Sequence, residues 1–167
     1  MIDERLLYRM QLIAVRQAFD AICTAAHGYA PQAEIHGVLV QSMVRPDLEM
    51  VAGIVQDADF GPMVMVGFGG VYVEVLDDTV LAPAPLSHAD AHAMLRKLRG
   101  YPILTGARGR APRDLDALCT VLVQLSQLAV SSQGLLAELD LNPIFLREQG
   151  AGLSIVDALG IRSSPHA

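Results

Sequence analysis

The feature that most constrains this fold is a series of apolar runs joined by links of only a few residues. The runs are GVLVQSMV at 37–44, EMVAGIVQD at 49–57, PMVMVGF at 62–68 and VYVEVLDD at 71–78. The links contain Arg45–Pro46–Asp47, Phe60–Gly61–Pro62 and Gly69–Gly70. Parallel strands need a crossover of about a dozen residues or more, so links this short join antiparallel neighbours. The sequence therefore predicts a mainly antiparallel sheet.

Three helical segments are available to cover one face of that sheet. Apolar side chains recur at spacings of three and four over residues 5–27, 87–99 and 112–134. Gly28 is placed to end the first segment, and Ser87 with Asp90 resembles a capping box at the start of the second. We expect the apolar stripe of the third segment to be core rather than a cofactor site.

The end of the chain returns to strand character. The runs are LLAELDLN at 135–142, PIFL at 143–146 and GLSIVDAL at 152–159, and the residues between the last two are a hairpin signal. This order of elements predicts an α+β fold, a mainly antiparallel sheet covered by helices. We expect an amphipathic helix and loop at 1–32, a main unit at 33–161 and a flexible tail at 162–167.

Composition argues against several classes of function. The chain has 167 residues, a formal net charge of −6 and a pI near 5.2, so it offers no basic field to a nucleic acid. No apolar stretch approaches the ~20 residues that span a bilayer, and the acidic amino terminus is unlike a signal peptide. We therefore expect a cytoplasmic protein. Cys23 and Cys119 lie in helical apolar stretches and are expected to be buried thiols, not a disulfide or a zinc site.

The most informative polar residues lie on the last predicted hairpin. Asp140 and Asn142 are two apart on one strand and therefore share a face. A turn centred on Gln149–Gly150 places Asn142 opposite Asp157. Two carboxylates and a carboxamide on one patch favour Mg²⁺, which binds oxygen ligands together with substrate phosphates. The alternative is that Asn142–Pro143 marks only a turn or a strand break.

These residues are part of a longer series of motifs that resembles a known family. In order, the series is Gly37–Gln41, Glu49, Gly53, Asp57, Phe60–Pro62, Gly67–Gly70, Glu74, Gly106–Gly109, Glu138–Pro143 and Ile155–Ala158. It is similar to the carboxy-terminal part of the ATP-grasp domain in NDP-forming acyl-CoA synthetases, such as succinyl-CoA synthetase β-subunits and ADP-forming acetate–CoA ligases. The resemblance covers residues 33–161 and implies an ATP-grasp-like fold.

The resemblance implies a magnesium–nucleotide site, with ATP or ADP and Mg²⁺ as cofactors. Asn142 and Asp157 match the Mg²⁺ ligands of the family, and Asp140 matches a neighbouring acidic position. Glu74 is either close to the metal or a solvated strand residue. The implied activity is the interconversion of acyl-CoA, phosphate and ADP with free acid, CoA and ATP.

Other residues match positions that bind the nucleotide. Glu49 matches a glutamate that binds the ribose, while Gln41 and Val44 fall in the hinge segment along the adenine. Succinyl-CoA synthetases usually have Glu in place of Gln41, which leaves the choice between adenine and guanine open. Arg108 suits a catalytic phosphate contact because a guanidinium offers bidentate donors. A plain surface arginine is the alternative.

Some of the machinery of that family is expected to be missing. Lys97 is the single lysine of the chain, although phosphoryl-transfer sites need positive charge on the nucleotide phosphates. The histidines are His27, His36, His88, His92 and His166, and none fits a phosphohistidine role. The family's His-Lys strand would precede the matched part. We therefore expect an incomplete ATP-grasp domain that is inactive alone, with a CoA-binding domain or subunit, or a second copy of the chain, as partner.

Two alternatives to a ligase remain open at this point. One is the degenerate, regulatory ATP-grasp domain that is fused to GNAT protein acetyltransferases in otherwise similar chains. The other is a structural or dimerisation module in which the polar cluster binds no metal. The residues alone do not separate these functions.

Overall fold

The computed structural model describes residues 4–40, 42–70, 78–132 and 134–163. The chain divides into two compact units, Met1–Met43 and Val44–Ala167. The described part of the first unit contains one helix, and the second unit contains the sheet. The division expected from the sequence, with boundaries after residues 32 and 161, stays a prediction.

The first unit contains α1, Glu4–Tyr29. The predicted helix is confirmed, but it continues through Gly28, where the space beside the α-carbon is open and a glycine costs a helix only about 1 kcal/mol. Ile13, Phe19 and Ile22 are 58%, 47% and 51% exposed, and none of the described side chains of α1 belongs to the buried core. Cys23 is a free thiol that is only half-buried, against expectation.

The predicted strand at 37–44 is wrong for the residues described there, 37–40 and 42–44, which form no strand. A strand needs hydrogen bonds to a neighbour, and apolar composition alone does not supply that neighbour. Leu39, Val40 and Met43 are 83%, 86% and 96% exposed. The run thus has the composition of a strand without pairing to any described strand.

The second unit is built on an antiparallel sheet. Its described strands are β1 (Leu48–Asp57), β2 (Gly61–Phe68), β3 (Thr79–Pro83), β4 (Leu136–Leu146), β5 (Leu153–Ile155) and β6 (Ala158–Arg162). Their order is β3–β2–β1–β4–β5, and β6 also pairs with β4. All of these pairs are antiparallel, which confirms the predicted α+β fold with an antiparallel sheet.

The strands of the first half agree in part with the predicted runs. The runs at 49–57 and 62–68 are confirmed as β1 and β2. Residues 71–77 of the next predicted strand lie outside the described part of the chain, and Asp78 precedes β3. The sequence analysis missed β3, which is short and ends in Pro83 at the edge of the described sheet, where proline is tolerated.

The strands of the second half are divided differently from the prediction. The runs at 135–142 and 143–146 form one strand, β4, although its register against β1 shifts opposite Met50 and Ala52. The Asn142–Pro143 peptide bond there is cis. The single run at 152–159 forms two strands, β5 and β6, on the same edge of β4.

The two helices predicted for the second unit are confirmed, and a short third helix between them was not predicted. They are α2 (His88–Lys97), α3 (Tyr101–Leu104) and α4 (Leu115–Ser131), with a short 3₁₀ helix at Ala107–Gly109. The capping box is confirmed: the Ser87 hydroxyl accepts from the Asp90 N–H at 3.2 Å, and the Ser87 N–H donates to the Asp90 carboxylate at 2.9 Å. α4 begins three residues beyond the predicted start at residue 112, and Asp114 is its N-cap.

The helices cover one face of the sheet. On β1 the core side chains are Leu48, Met50, Ala52 and Ile54. They form one buried cluster with side chains of α2 and α4, among them Leu95 and Leu122. Burying a large aliphatic side chain contributes about 1.5–3 kcal/mol, so this layer dominates the stability of the unit. Cys119 of α4 is fully buried, as predicted, and burial raises the pKa of its thiol to about 12.

None of the helices in the described ranges combines the length and the apolar composition that crossing a membrane requires.

Asp114 fixes the start of α4 against the turn between β4 and β5. Its carboxylate accepts from the Ala117 N–H of α4 at 3.1 Å and from the Gly152 N–H of the turn at 2.8 Å. Its own N–H donates to the Arg147 carbonyl oxygen at 2.9 Å. One buried carboxylate therefore holds both the helix and the hairpin, and with them the register of the hairpin.

Replacing Gly53 by Ala tests the close pairing of β1 and β4. A Cβ at Gly53 would overlap the carbonyl oxygen of Leu139 on the neighbouring strand. We expect Gly53→Ala to lower the free energy of unfolding by about 1–3 kcal/mol, the usual cost of overpacking. Gly160→Ala is the matched control, because its Cβ would meet only side-chain atoms at 3.7 and 3.8 Å. Urea denaturation of both variants measures the difference, and equal stability of the two would contradict it.

A pH titration tests the Asp114 clamp. The N–H of Gly152, and next that of Ala117, lower the pKa of Asp114 from its ordinary value. A carboxylate with a lowered pKa stabilises the fold above its unfolded-state pKa of about 3.9, and that contribution disappears as the pH falls through the lower folded-state value. We expect the stability advantage of the wild type over Asp114→Asn to be constant near neutral pH and to shrink below about pH 4. An advantage independent of pH would argue against the clamp.

Candidate functional site

Several predicted site residues share the sheet face that points away from the core. Side chains alternate along a strand, and on β1 the positions between the core residues include Glu49 and Gly53. Gly53 pairs with Asp140 across β1 and β4, so Asp140 is on the same side as Glu49. Glu49 and Gly53 are four positions apart on β1, which corresponds to about 13 Å at 3.3 Å per residue.

The hairpin register predicted for Asn142 and Asp157 is confirmed. On one side of this pair Ile144 is opposite Ile155, and on the other Leu141 is opposite Ala158. Between them, the N–H of Asn142 donates to the carbonyl oxygen of Asp157 at 3.3 Å. Strand β4 continues through Asn142–Pro143, so the dipeptide is not a strand end.

These side chains are not engaged by the rest of the described chain. Within the described residues, the side chains of Asp140 and Asn142 have no hydrogen-bond partner. One carboxylate oxygen of Asp157 accepts from the Ala158 N–H at 2.8 Å, and the other has no described partner. The donor set is made only of carboxylate and carboxamide oxygens, which are the ligands that Mg²⁺ takes. The residues present therefore fit that ion.

A groove on this face collects further acidic groups. Its lining includes Gly53 of β1, Asp78 before β3, and Glu138, Asp140 and Asn142 of β4. The Asp78 carboxylate is already occupied, because it accepts from the N–H groups of Arg99 at 2.9 Å and Gly100 at 2.7 Å. Glu138 is exposed and has no described partner. The free negative charge of the groove thus lies on β4.

Glu49 lies at a second groove, formed with the glycines that follow β2. Its carbonyl oxygen accepts from the Gly69 N–H at 2.8 Å. Gly70 has φ of 58°, and a Cβ there would overlap the Glu49 carboxylate. Glycine at this position therefore leaves the Glu49 side chain room. The predicted hairpin link at Gly69–Gly70 is not tested, because residues 71–77 lie outside the described part of the chain.

Arginines line this second groove. Arg113 is held in place, since its Nη1 contacts the Asp47 carboxylate and donates to the Leu146 carbonyl oxygen at 3.3 Å. The side chain of Arg110 is exposed and has no partner among the described residues. For Arg108 the structure describes only the backbone, in the 3₁₀ helix. Its catalytic role stays a prediction. Arg110, two residues later, is an arginine of this loop whose side chain is described and lines the groove.

The glycine flanking Arg108 has an intramolecular reason. Gly106 has φ of 96°, and a Cβ there would meet the Arg110 carbonyl oxygen at 2.6 Å. A glycine beside a predicted phosphate-binding arginine could also serve to let a phosphate approach the backbone. In the structure, the close neighbour is the chain itself.

The remaining predicted residues are placed only in part. Gln41 and Glu74 lie outside the described residues. Val44 is half-buried in an extended segment before β1. The assignment of Gln41, Val44 and Glu49 to the nucleotide, and of Asp140, Asn142 and Asp157 to the metal, stays a prediction.

Comparison with known proteins decides the family. The family model described as the ATP-grasp domain matches residues 10–159. The chain belongs to the ATP-grasp family. The resemblance found from the motifs is therefore confirmed.

Relatives of this ATP-grasp domain are acid–CoA ligases. The β subunit of ADP-forming acetate–CoA ligase II from Pyrococcus furiosus is 38% identical over 144 residues, which are 86% of this chain and 61% of the relative. ADP-forming acetate–CoA ligase I from Archaeoglobus fulgidus is 43% identical over 143 residues, which are 86% of this chain and 20% of the relative. The chain thus spans about three fifths of the first protein and one fifth of the second.

A solved structure with the same fold is the dinucleotide forming acetyl-coenzyme A synthetase 1 of Ca. Korarchaeum cryptofilum, in complex with coenzyme A, Ca-AMPCP and HgCl⁺. Its TM-score is 0.81 at 38% identity, and the match covers 89% of this chain and 64% of that chain. These relatives give no support to the acetyltransferase-fused or purely structural alternatives.

Two residues of the candidate site were not singled out from the sequence. Glu138 lies two positions before Asp140, and the same two-residue period that joined Asp140 with Asn142 could have found it. Arg110 lies two positions after Arg108, but its place beside Glu49 depends on how the 107–113 loop folds back on β1. No local pattern in the sequence carries that information.

Proposed function

We propose that this ATP-grasp domain binds a magnesium–nucleotide complex, ATP or ADP, as the nucleotide part of an ADP-forming acyl-CoA synthetase. Its role there is phosphoryl transfer to ADP. The observation that carries the proposal is the pairing of Asn142 with Asp157, beside Asp140, on the uncommitted side of the sheet. Membership of the ATP-grasp family and the ligase relatives support the same role.

In this proposal each group has a separate task. Asp140, Asn142 and Asp157 hold the Mg²⁺, which neutralises charge on the phosphates when it is bound. Glu49, which lies about 13 Å along β1 from Gly53, the residue paired with Asp140, binds the ribose. Gln41 and Val44 contact the base. Arg108, with Arg110 as a described neighbour, contacts the phosphates, because arginine is suited to bidentate phosphate binding.

The acyl-CoA reaction belongs to a larger assembly in this proposal. The chain spans only part of the ligases it matches, so the CoA and acyl sites are assigned to a CoA-binding domain or subunit. A second copy of the chain is the other candidate partner. The chain by itself is then the metal and nucleotide part of a ligase site.

A thermal-shift titration with Mg²⁺–ADP tests the proposal. A ligand at 100 times its dissociation constant stabilises the folded state by about 2.7 kcal/mol, which moves the midpoint of unfolding by several degrees. We expect this shift for the wild type and its loss in Asp157→Ala, since the variant lacks one proposed metal ligand. Asp59→Ala is the matched control, because Asp59 is an exposed aspartate in the β1–β2 turn, and it should keep the full shift.

The titration has two contradicting outcomes. Absence of any shift for the wild type up to millimolar nucleotide contradicts nucleotide binding. An equal shift for the wild type and Asp157→Ala contradicts the metal site while leaving nucleotide binding in place.

A further inference from the structure

A second cluster of metal-ligating side chains lies in the helix layer of the same unit. His88 and His92 are on α2, four residues apart, and Asp116 is in the first turn of α4. Residues four apart on a helix point to the same side, so both imidazoles face one neighbour. That neighbour is α4, and the three side chains meet between the two helices.

The distances in this cluster are close to those of a metal site. The His92 Nε2 lies 3.0 Å from a carboxylate oxygen of Asp116. The two imidazole rings contact edge to face, with centroids 5.2 Å apart. One ligand atom from each of the three residues lies within 4.8 Å of the others. Zinc bonds of about 2.0–2.1 Å in tetrahedral geometry separate ligand atoms by roughly 3.4 Å, so small side-chain rotations would complete the site.

We propose that His88, His92 and Asp116 form a binding site for a first-row transition-metal ion of the zinc type, which joins α2 to α4. Two imidazoles and a carboxylate are three protein ligands of the kind that Zn²⁺ takes, and a fourth position is left for water. Imidazole nitrogen favours Zn²⁺, Ni²⁺ and Cu²⁺, whereas Mg²⁺ prefers oxygen. The site therefore selects a different ion from the proposed nucleotide site.

The surroundings of the cluster limit its ligands to these three residues. Cys119 lies one turn along α4 from Asp116, but it is fully buried, and burial raises the pKa of its thiol to about 12. Its side chain is part of the buried core cluster rather than of this exposed group. His92 is half-buried while His88 and Asp116 are exposed, which leaves a path for the ion from solvent.

The ion pair alone does not account for the third residue. A surface pair such as His92 with Asp116 contributes about 0–1 kcal/mol and needs no second imidazole. His88 contacts the His92 ring edge to face and places a further nitrogen beside the pair, which the ion pair itself does not require. A metal ion is the ligand that uses all three groups.

Titration of the full chain with Zn²⁺, in the absence of nucleotide, tests this site. Calorimetry should give one Zn²⁺ per chain, and Co²⁺ should give the strong visible absorption of a tetrahedral complex. We expect His92→Ala and His88→Ala each to weaken Zn²⁺ binding at least tenfold. His27→Ala removes a helical histidine elsewhere in the chain and should leave binding unchanged. Excess Mg²⁺ should not displace Zn²⁺.

The controls keep the outcome decisive. Circular dichroism of each metal-free variant shows whether it is folded. If His92→Ala unfolds, the test depends on His88→Ala and Asp116→Asn, because both of these residues are exposed. Binding that stays as tight in a folded His88→Ala or Asp116→Asn as in the wild type overturns the proposal. Absence of Zn²⁺ binding by the wild type overturns it as well. Neither result bears on the Mg²⁺–nucleotide site, which uses other residues.

Discussion

The antiparallel register that pairs β4 with β5 and β6 is the constraint on which the rest of this structure depends. It is the same from Leu146 opposite Leu153 to Glu138 opposite Ile161. The Asp114 carboxylate, which binds the N–H groups of Gly152 and Ala117, ties the turn of that hairpin to α4. A slip by one residue would turn every side chain of β5 and β6 to the other face and separate Asp157 from Asn142. Packing of the core and assembly of the site thus rest on one register.

The sheet of the second unit has one face packed against helices and one face on which we propose that the ligand binds. On one side, β1 and the helices form a dense core around residues such as Met50 and Leu122. On the other side, the side chains of Glu138, Asp140 and Asn142 on β4 have no hydrogen-bond partner within the described residues, which a folded protein tolerates where a ligand or water takes their hydrogen bonds. The helix layer carries its own cluster at His92 and Asp116, away from that face. The two proposed metal sites therefore lie on opposite sides of the sheet.

Local patterns in the sequence predicted the parts of the fold that depend on local chemistry. The Ser87–Asp90 capping box, the central strands and the turn at Gln149–Gly150 follow from a few adjacent residues, and the structure confirms them. The strand predicted at 37–44 was wrong because a strand also requires a neighbouring strand with which to form hydrogen bonds, and composition does not show whether one is present. For the same reason the sequence missed β3, and it missed the place of Arg110 beside Glu49, which long-range folding decides. Within the site, the register that places Asn142 opposite Asp157 was predictable from the sequence, whereas the binding of Mg²⁺ and nucleotide stays a proposal.

Paramagnetic broadening by Mn²⁺–ADP is the most direct test that the uncommitted face of the sheet holds the metal–nucleotide complex. Mn²⁺ replaces Mg²⁺, excess ADP keeps it bound to nucleotide, and amide signals near the ion lose intensity. The account predicts the greatest loss at Asp140, Asn142 and Asp157, with the amides of α2 and α4 around His92 and Asp116 retained. Loss centred on the helix layer, or spread evenly over the chain, would contradict it.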